Sequence, residues 1–261
     1  HWKLRNKHSP LNWIKLFDHQ RIHRALQDTA SANSPVTDSA AAVSAWSCGR
    51  RVNNDCINTD TSGRVLKPLY AYAKEAGKAT GLVTTCRITH ATPAGFVTSV
   101  PQRDMEDEIL KQYLQSDIDV LLGGGARYFK HKQENGSVVD YFSLFKDKGY
   151  EVISDSASLA KVSCNLPILG VFSESHIPYA VDRINDPSLR SVPGLANMFK
   201  KSLDRLGRNK NGFVLQVEGG RVDHAGHAND PSAILHEILE YYECIPIAIE
   251  TDSNTHLTLP T

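Results

Sequence analysis

The sequence predicts an α/β fold, a three-layer sandwich whose central, mainly parallel sheet is flanked by helices. Two observations predict it. Short aliphatic or β-branched runs recur along the chain, each the length of a buried strand: GLVTT from Gly81, DIDVLLGG from Asp117, EVIS from Glu151, LPILGVF from Leu166 and GFVLQVE from Gly212. Between them lie helical patterns, DMEDEILKQYL from Asp104, PGLANMFKKSLDRL from Pro193 and PSAILHEILEYYECIPIAIE from Pro231, the last two opening on a proline where a helix start tolerates one. Strands that alternate with helices argue for parallel pairing, with helices covering the sheet. In such sheets ligands gather beyond the carboxyl ends of the strands, so the loops that follow strands are where chemistry is to be sought.

Composition bounds what the fold can serve. A length of 261 residues accommodates one large domain or two small ones. Lysine plus arginine and aspartate plus glutamate each number 29, which supports neither a nucleic-acid surface nor an acidic spacer. No apolar run approaches the ~20 residues of a membrane span, and the opening HWKLRNKHSPLNW lacks the apolar stretch of a signal peptide. The five cysteines, Cys48, Cys56, Cys86, Cys164 and Cys244, contain no C-x-x-C pair and read mostly as small buried hydrophobes; Cys48 and Cys56 are a pair that an oxidising compartment could join. Residues 1–30 are rich in His, Lys and Arg without a period and specify no fold, so residues 31–261 are read as the domain. The polar stretch HKQENGSVVD reads as an exposed loop. Gly123 to Gly125 lack the spacing and the lysine of a P-loop and read as a tight turn after a strand.

Three segments carry residues able to do chemistry. In SPVTDSAAAVSAWSCG, Asp38 and Ser39 stand directly before an alanine-rich helical run ending at Gly49. As an isolated feature this pair is a helix cap. The same geometry puts Ser39 where unpaired N–H groups and the helix dipole favour an anion, and a serine hydroxyl becomes a nucleophile once a base or metal activates it. In EGGRVDHAGHAND, at the end of the strand from Gly212, stand Glu218, Asp223, His224 and His227, with Asp223 and His227 on one face if the segment is helical. A carboxylate with an imidazole suits zinc, and Glu218 with other oxygens suits magnesium. The competing reading is a solvated polar loop. In VTTCRITHATPAG, after the strand from Gly81, His90 and Thr92 could belong to an ordinary turn, and Arg103 a little further on could be a surface charge. If phosphate is the substrate, a guanidinium is the group that grips two of its oxygens.

Taken together, V-T-D-S-A, T-H-A-T-P-A-G, the arginine and V-E-G-G-R-V-D-H-A-G-H follow one another in the order and approximate spacing of the alkaline phosphatases, a resemblance covering roughly Ser31 to Glu250. It implies hydrolysis of phosphate monoesters by a metal-activated serine through a phosphoserine. By resemblance Ser39 matches the nucleophile and a zinc ligand, Arg103 the phosphate-binding arginine, Thr92 and Glu218 ligands of the magnesium site, and Asp223 with His227 ligands of one zinc. Asp38, His90 and His224 match residues around the substrate, the two histidines standing where some members carry Asp and Lys. The implied cofactors are two Zn²⁺ and Mg²⁺, the implied substrates small phosphate monoesters, and the implied setting an exported homodimer.

The departures are as specific. The opening residues match no strand ending in the family's metal-bridging Asp, the family's later Asp-His pair and final His find no counterpart, and His256 stands in no family motif. The chain is therefore expected to be truncated at both ends and to turn over phosphate esters far below family rates. Ser173 after Phe172, where animal members have a carboxylate, puts their calcium site in doubt. A non-catalytic remnant that binds metal or phosphate is the alternative, and a related hydrolase of phosphodiesters or sulfate esters a third reading, which Asp38-Ser39-Ala40 and Arg103 weigh against.

Overall fold

A computed structural model describes residues 25–132 and 136–255. Its centre is a sheet of strands β1 (Ala79–Arg87), β2 (Val120–Gly124), β5 (Glu151–Ile153), β6 (Ile168–Val171) and β7 (Phe213–Glu218), in the order β5-β6-β2-β1-β7. Every pairing in it is parallel. These strands are the five aliphatic runs of the sequence, and the three helical patterns become α4 (Glu106–Gln115), α8 (Leu195–Leu206) and α10 (Pro231–Thr255). The other helices are α1 (Ser39–Cys48), α2 (Leu69–Glu75), α3 (Ala91–Gly95), α5 (Tyr141–Asp147), α6 (Ser156–Lys161), α7 (Ala180–Asn185) and α9 (Arg221–His227).

The sandwich follows from side chains alternating between the two faces of each strand. Leu82, Leu121 and Leu169 point into one core with Ala40 of α1, Tyr70 of α2, Ile109 and Tyr113 of α4 and Phe145 of α5. Their neighbours Val83, Val120, Leu122 and Ile168 point into a second core with Leu195, Met198 and Leu206 of α8 and Cys244 of α10. Asp119, just before β2, ties the layers together: its carboxylate accepts from Lys74 Nζ of α2 at 2.7 Å, from the backbone N of Thr80 in β1 at 2.9 Å and from Arg205 of α8 at 2.9 Å.

Three expectations need correction. The stretch after Lys130 is not simply a loop, because Lys130–Lys132 (β3) pairs antiparallel with Val138–Asp140 (β4) as a two-stranded ribbon. Nor do the three glycines form only a turn, since Gly123 and Gly124 lie inside β2 and the left-handed conformation appears only at Gly125 (φ 107°). Cys48 and Cys56 are unpaired, each half-buried with a free thiol that burial pushes up in pKa, and Cys48 Sγ instead donates to Asn58 Oδ1 at 2.9 Å. The N-terminal segment lies outside the described residues except for 25–30, which form no helix or strand, and His256 lies outside them.

The glycine run meets a packing constraint. A Cβ on Gly124 would lie 2.1 Å from the carbonyl oxygen of Ser175, so the segment after β6 can press onto the end of β2 only if Gly124 has no side chain. Gly124→Ala should therefore destabilise the chain by about 1–3 kcal/mol, the usual cost of overpacking a filled site. Gly226, helical and with open space around it, should gain roughly 0.5–1 kcal/mol on replacement by Ala. Urea unfolding of the two variants checks this, and equal effects would remove the packing account.

Candidate active site

Strand β1 has β2 on one side and β7 on the other, so the loops leaving the two neighbours diverge and open a crevice beyond its carboxyl end. The three chemistry-bearing segments of the sequence all arrive there. Asp38 organises the first. Its backbone is extended, and its Oδ1 caps α1 by accepting from Ala41 N at 2.9 Å, so Ser39 becomes the first residue of the helix. Asp38 Oδ2 accepts from the backbone N of Asp55 at 3.1 Å and from Arg103 NH1 at 2.9 Å, while the backbone N of Arg103 donates to Asp55 O at 2.8 Å. One carboxylate thus fixes both the helix that presents Ser39 and the guanidinium beside it. Arg103 is a partly buried, carboxylate-held group rather than a surface charge.

The second segment leaves β1. His90 is the N-terminal flanking residue of α3, and its Nε2 accepts from Arg103 NH2 at 3.1 Å. That bond assigns the ring proton to Nδ1, which is buried with no partner among the described residues. Burial, then the guanidiniums of Arg103 and Arg87, hold the imidazole pKa down at about 2, so His90 is neutral throughout the physiological range.

The third segment leaves β7. Glu218 ends that strand, and its Oε2 accepts from Thr84 Oγ1 at 2.6 Å. Burial pushes its carboxyl pKa up, against hydrogen bonds from Thr84 and Thr92 that lower it. The next turn can pass so close to β1 only because Gly220 has no Cβ, which would stand 2.5 Å from Cys86 Sγ. Asp223 and His227 share a face of α9, with His227 Nε2 3.6 Å from Asp223 Oδ2, both largely exposed.

Ser39, Thr92, Glu218 and Asp223 line one cavity of ≈ 910 Å³ with Trp46, Tyr70 and the open side of β7. Arg103, His90 and Asp38 join it through the bonds above, His224 joins through its ring contact with His90 at 5.6 Å, and His227 stands on the same helix face as Asp223. The donor types present suit metals: the hydroxyl of Thr92 and the carboxylate of Glu218 are hard oxygen donors, and the Asp223–His227 spacing suits an oxygen and a nitrogen on one small ion.

Several residues at the crevice were not singled out by sequence. Arg87, at the end of β1, donates through Nε to Glu106 Oε1 at 2.6 Å, and the Thr89 hydroxyl bonds the other oxygen of the same carboxylate. His176, after β6, stands with its ring centroid 4.3 Å from that of His224 and 5.6 Å from that of His90. Arg221 NH1 donates to His224 Nδ1 at 2.9 Å. Cys86, His176 and His224 are metal-ligand types whose donor atoms lie within 4.8 Å of one another. Arg87 and Cys86 end β1, His176 follows β6 and Arg221 opens α9, and position near a strand end was the signal that the sequence carried for them.

Known proteins share this fold. A family model for alkaline phosphatase matches residues 3–261. Alkaline phosphatase 3 of Bacillus subtilis is 36% identical over 233 residues, 86% of this chain and 48% of the relative. The crystal structure of Thermus thermophilus alkaline phosphatase superposes with a TM-score of 0.88 at 41% identity, covering 97% of this chain and 52% of that one. A variant of the alkaline phosphatase from the Antarctic bacterium TAB5, with Mg bound in its M3 site, superposes at TM-score 0.75 with 25% identity, over 94% of this chain and 71% of that one. The chain spans about half the length of the curated relatives it matches. With the sequence motifs gathered at one crevice of the shared fold, the chain belongs to the alkaline phosphatase family.

Proposed function

We propose that this chain carries the serine, the phosphate-gripping arginine and part of the metal-binding side of a phosphomonoesterase site. The observation that supports it most is that a single carboxylate, Asp38, caps the helix presenting Ser39 and holds Arg103 at 2.9 Å. In this reading Ser39 Oγ attacks the phosphorus in line, the ester oxygen leaves, and a phosphoserine forms that water hydrolyses in a second displacement. Arg103 holds two non-bridging oxygens and stabilises the charge that develops on them. Neutral His90 accepts from Arg103 and so steadies the guanidinium without adding charge.

Thr92 and Glu218 would hold magnesium, and Asp223 with His227 would hold zinc, with Ser39 reaching a second zinc. Bound there, such ions would lower the pKa of the serine hydroxyl and neutralise the leaving oxygen. The TAB5 structure with Mg is the ground for extending metal binding to this chain. Small phosphate monoesters are the proposed substrates, and export and dimerisation are carried over from the family likeness for the longer protein. Among the described residues no helix is long and apolar enough to cross a membrane.

Ser39→Ala, in a protein completed to the length of its relatives, should abolish the phosphoenzyme and most of the turnover. Acid quenching with labelled phosphate and peptide mapping checks this; label on Ser44 or Ser47 would reassign the nucleophile. Arg103→Ala should weaken inorganic phosphate roughly tenfold or more, the loss expected for a charge-assisted pair worth ~1.5–3 kcal/mol. Calorimetric titration of phosphate reads it, and an unchanged constant would take Arg103 out of the site. For the metals, Asp223→Ala and His227→Ala should each lower zinc affinity by more than the ~10-fold that loss of an outer partner costs. Equilibrium dialysis against buffered zinc decides that question, since retention of full affinity in both variants places the zinc elsewhere.

A further inference from the structure

Packed against His90 is a band of side chains to which the hydrolytic reading assigns no step. Arg127 and Arg87 flank the Tyr128 ring at 4.8 and 5.5 Å, Arg87 NH1 lies 3.0 Å from His176 Nε2, His176 packs on His224, and His224 Nδ1 accepts from Arg221 NH1, whose guanidinium lies 3.8 Å over the Tyr179 ring. His176 and His224 both touch His90, so the band is continuous with Arg103.

Two facts decide what the band can take. The first is charge. Arg87 is paired with Glu106, but Arg127 and Arg221 have no carboxylate within ion-pair distance among the described residues. All three guanidiniums act through space on His176. The Cys86, His176 and His224 donors would otherwise suit a soft metal, yet a divalent cation among these arginines would face net repulsion, and an anion would not.

The second is the hydrogen-bond inventory. The backbone N–H of Arg87 donates to His176 Nδ1 at 3.2 Å, which leaves the ring proton on Nε2, facing the Arg87 guanidinium. That contact sets donor against donor, and among the described residues neither Arg87 NH1 nor His176 Nε2 bonds an acceptor, although Arg87 Nε is served by Glu106. His224 Nδ1 accepts from Arg221, so its proton too lies on Nε2. Arg221 Nε is buried and has no partner among the described residues. The band is rich in donors and short of acceptors, the opposite of a metal site, and anionic oxygens would satisfy it.

We propose that Arg87, Arg127, Arg221, His176 and His224 form a second anion subsite beside Arg103, fitted to phosphomonoesters whose alcohol portion carries a further phosphate or carboxylate. This rests on the reading of Arg103 as the phosphate grip, and the test separates the two. Methylphosphonate and alkyl bisphosphonates of one to four methylenes would be titrated calorimetrically into this chain with chelator present. At least one bisphosphonate should bind ~10-fold or more tightly than methylphosphonate, the return of one further charge-assisted pair. Arg127→Gln and Arg221→Gln should each cut that advantage and leave methylphosphonate within about twofold. Arg103→Ala should weaken methylphosphonate itself. The exposed Arg127 can be replaced without disturbing the core, and Arg221→Lys, which keeps the charge, should retain part of the gain. No bisphosphonate advantage, or one undiminished in both glutamine variants, overturns the subsite. An advantage lost in those variants while methylphosphonate ignores Arg103→Ala supports the subsite and removes Arg103 from the phosphate grip.

Discussion

The site depends on the placement of one carboxylate. Asp38 bonds Ala41 N, Asp55 N and Arg103 NH1 at once, joining the start of a helix, a loop and an arginine 65 residues further along the chain. The ion pair itself contributes little to stability, because Asp38 and Arg103 keep about a fifth of their side-chain surface exposed and water screens them. Its effect is geometric. Arg103 has its own flexible stem, and the fixed carboxylate of Asp38 holds its fork next to the residue that caps α1. Asp38 also accounts for the extended backbone before α1, without which Ser39 would not fall at the first helical position.

Around that anchor the balance of charge is settled by burial and arginines. His90, His176 and His224 all have their pKa lowered, first by burial and then by neighbouring positive groups, to about 2 for His90 and about 3 for His176. They therefore act as neutral rings whose nitrogens either accept from an arginine or offer a proton. A crevice built this way holds its positive charge on guanidiniums, which keep it at every physiological pH and match the planar geometry of oxyanions. Glu218 sits at the other pole, a half-buried residue whose carboxyl accepts from Thr84 and Thr92 and needs a counter-charge when ionised.

Much of this was legible in the sequence, for identifiable reasons. The five strands announced themselves because a parallel sheet covered on both faces demands continuous apolar runs, and Leu82 and Val83 do serve opposite cores. Ser39, Arg103 and the β7 motif were legible because each sits on a segment whose spacing is shared by a family. His176 was not, since SESHIPYA carries no motif and only the fold brings it against His224. Arg87 and Arg221 lay within quoted segments, but spacing does not say which way a side chain turns. The glycine run misled for a related reason: in sequence, a glycine needed for clearance looks the same as one needed for a turn, and at Gly124 a larger residue is excluded by Ser175, fifty-one positions further along the chain.

Topology explains why these pieces converge. Residues of β1 run on directly from the sheet into Arg87 and His90, so the central strand delivers a rigid base from which both proposed anion-binding regions project. Its two neighbours deliver opposite walls: β7 ends on Glu218 and turns at Gly220 into the helix bearing Arg221, Asp223 and His224, while the chain after β6 crosses the end of β2 to bring His176 onto Arg87. The backbone of that crossing is held by Gly125 N and Ala126 N on Ser173 O and by Arg127 N on Glu174 O, which also fixes where Arg127 begins. A site divided between strand ends and their immediate successors needs no long flexible loop to close it. The constraint passes to the glycines, because a methyl group at Gly220 or Gly124 would push one wall off the central strand and separate donors that only close packing brings together.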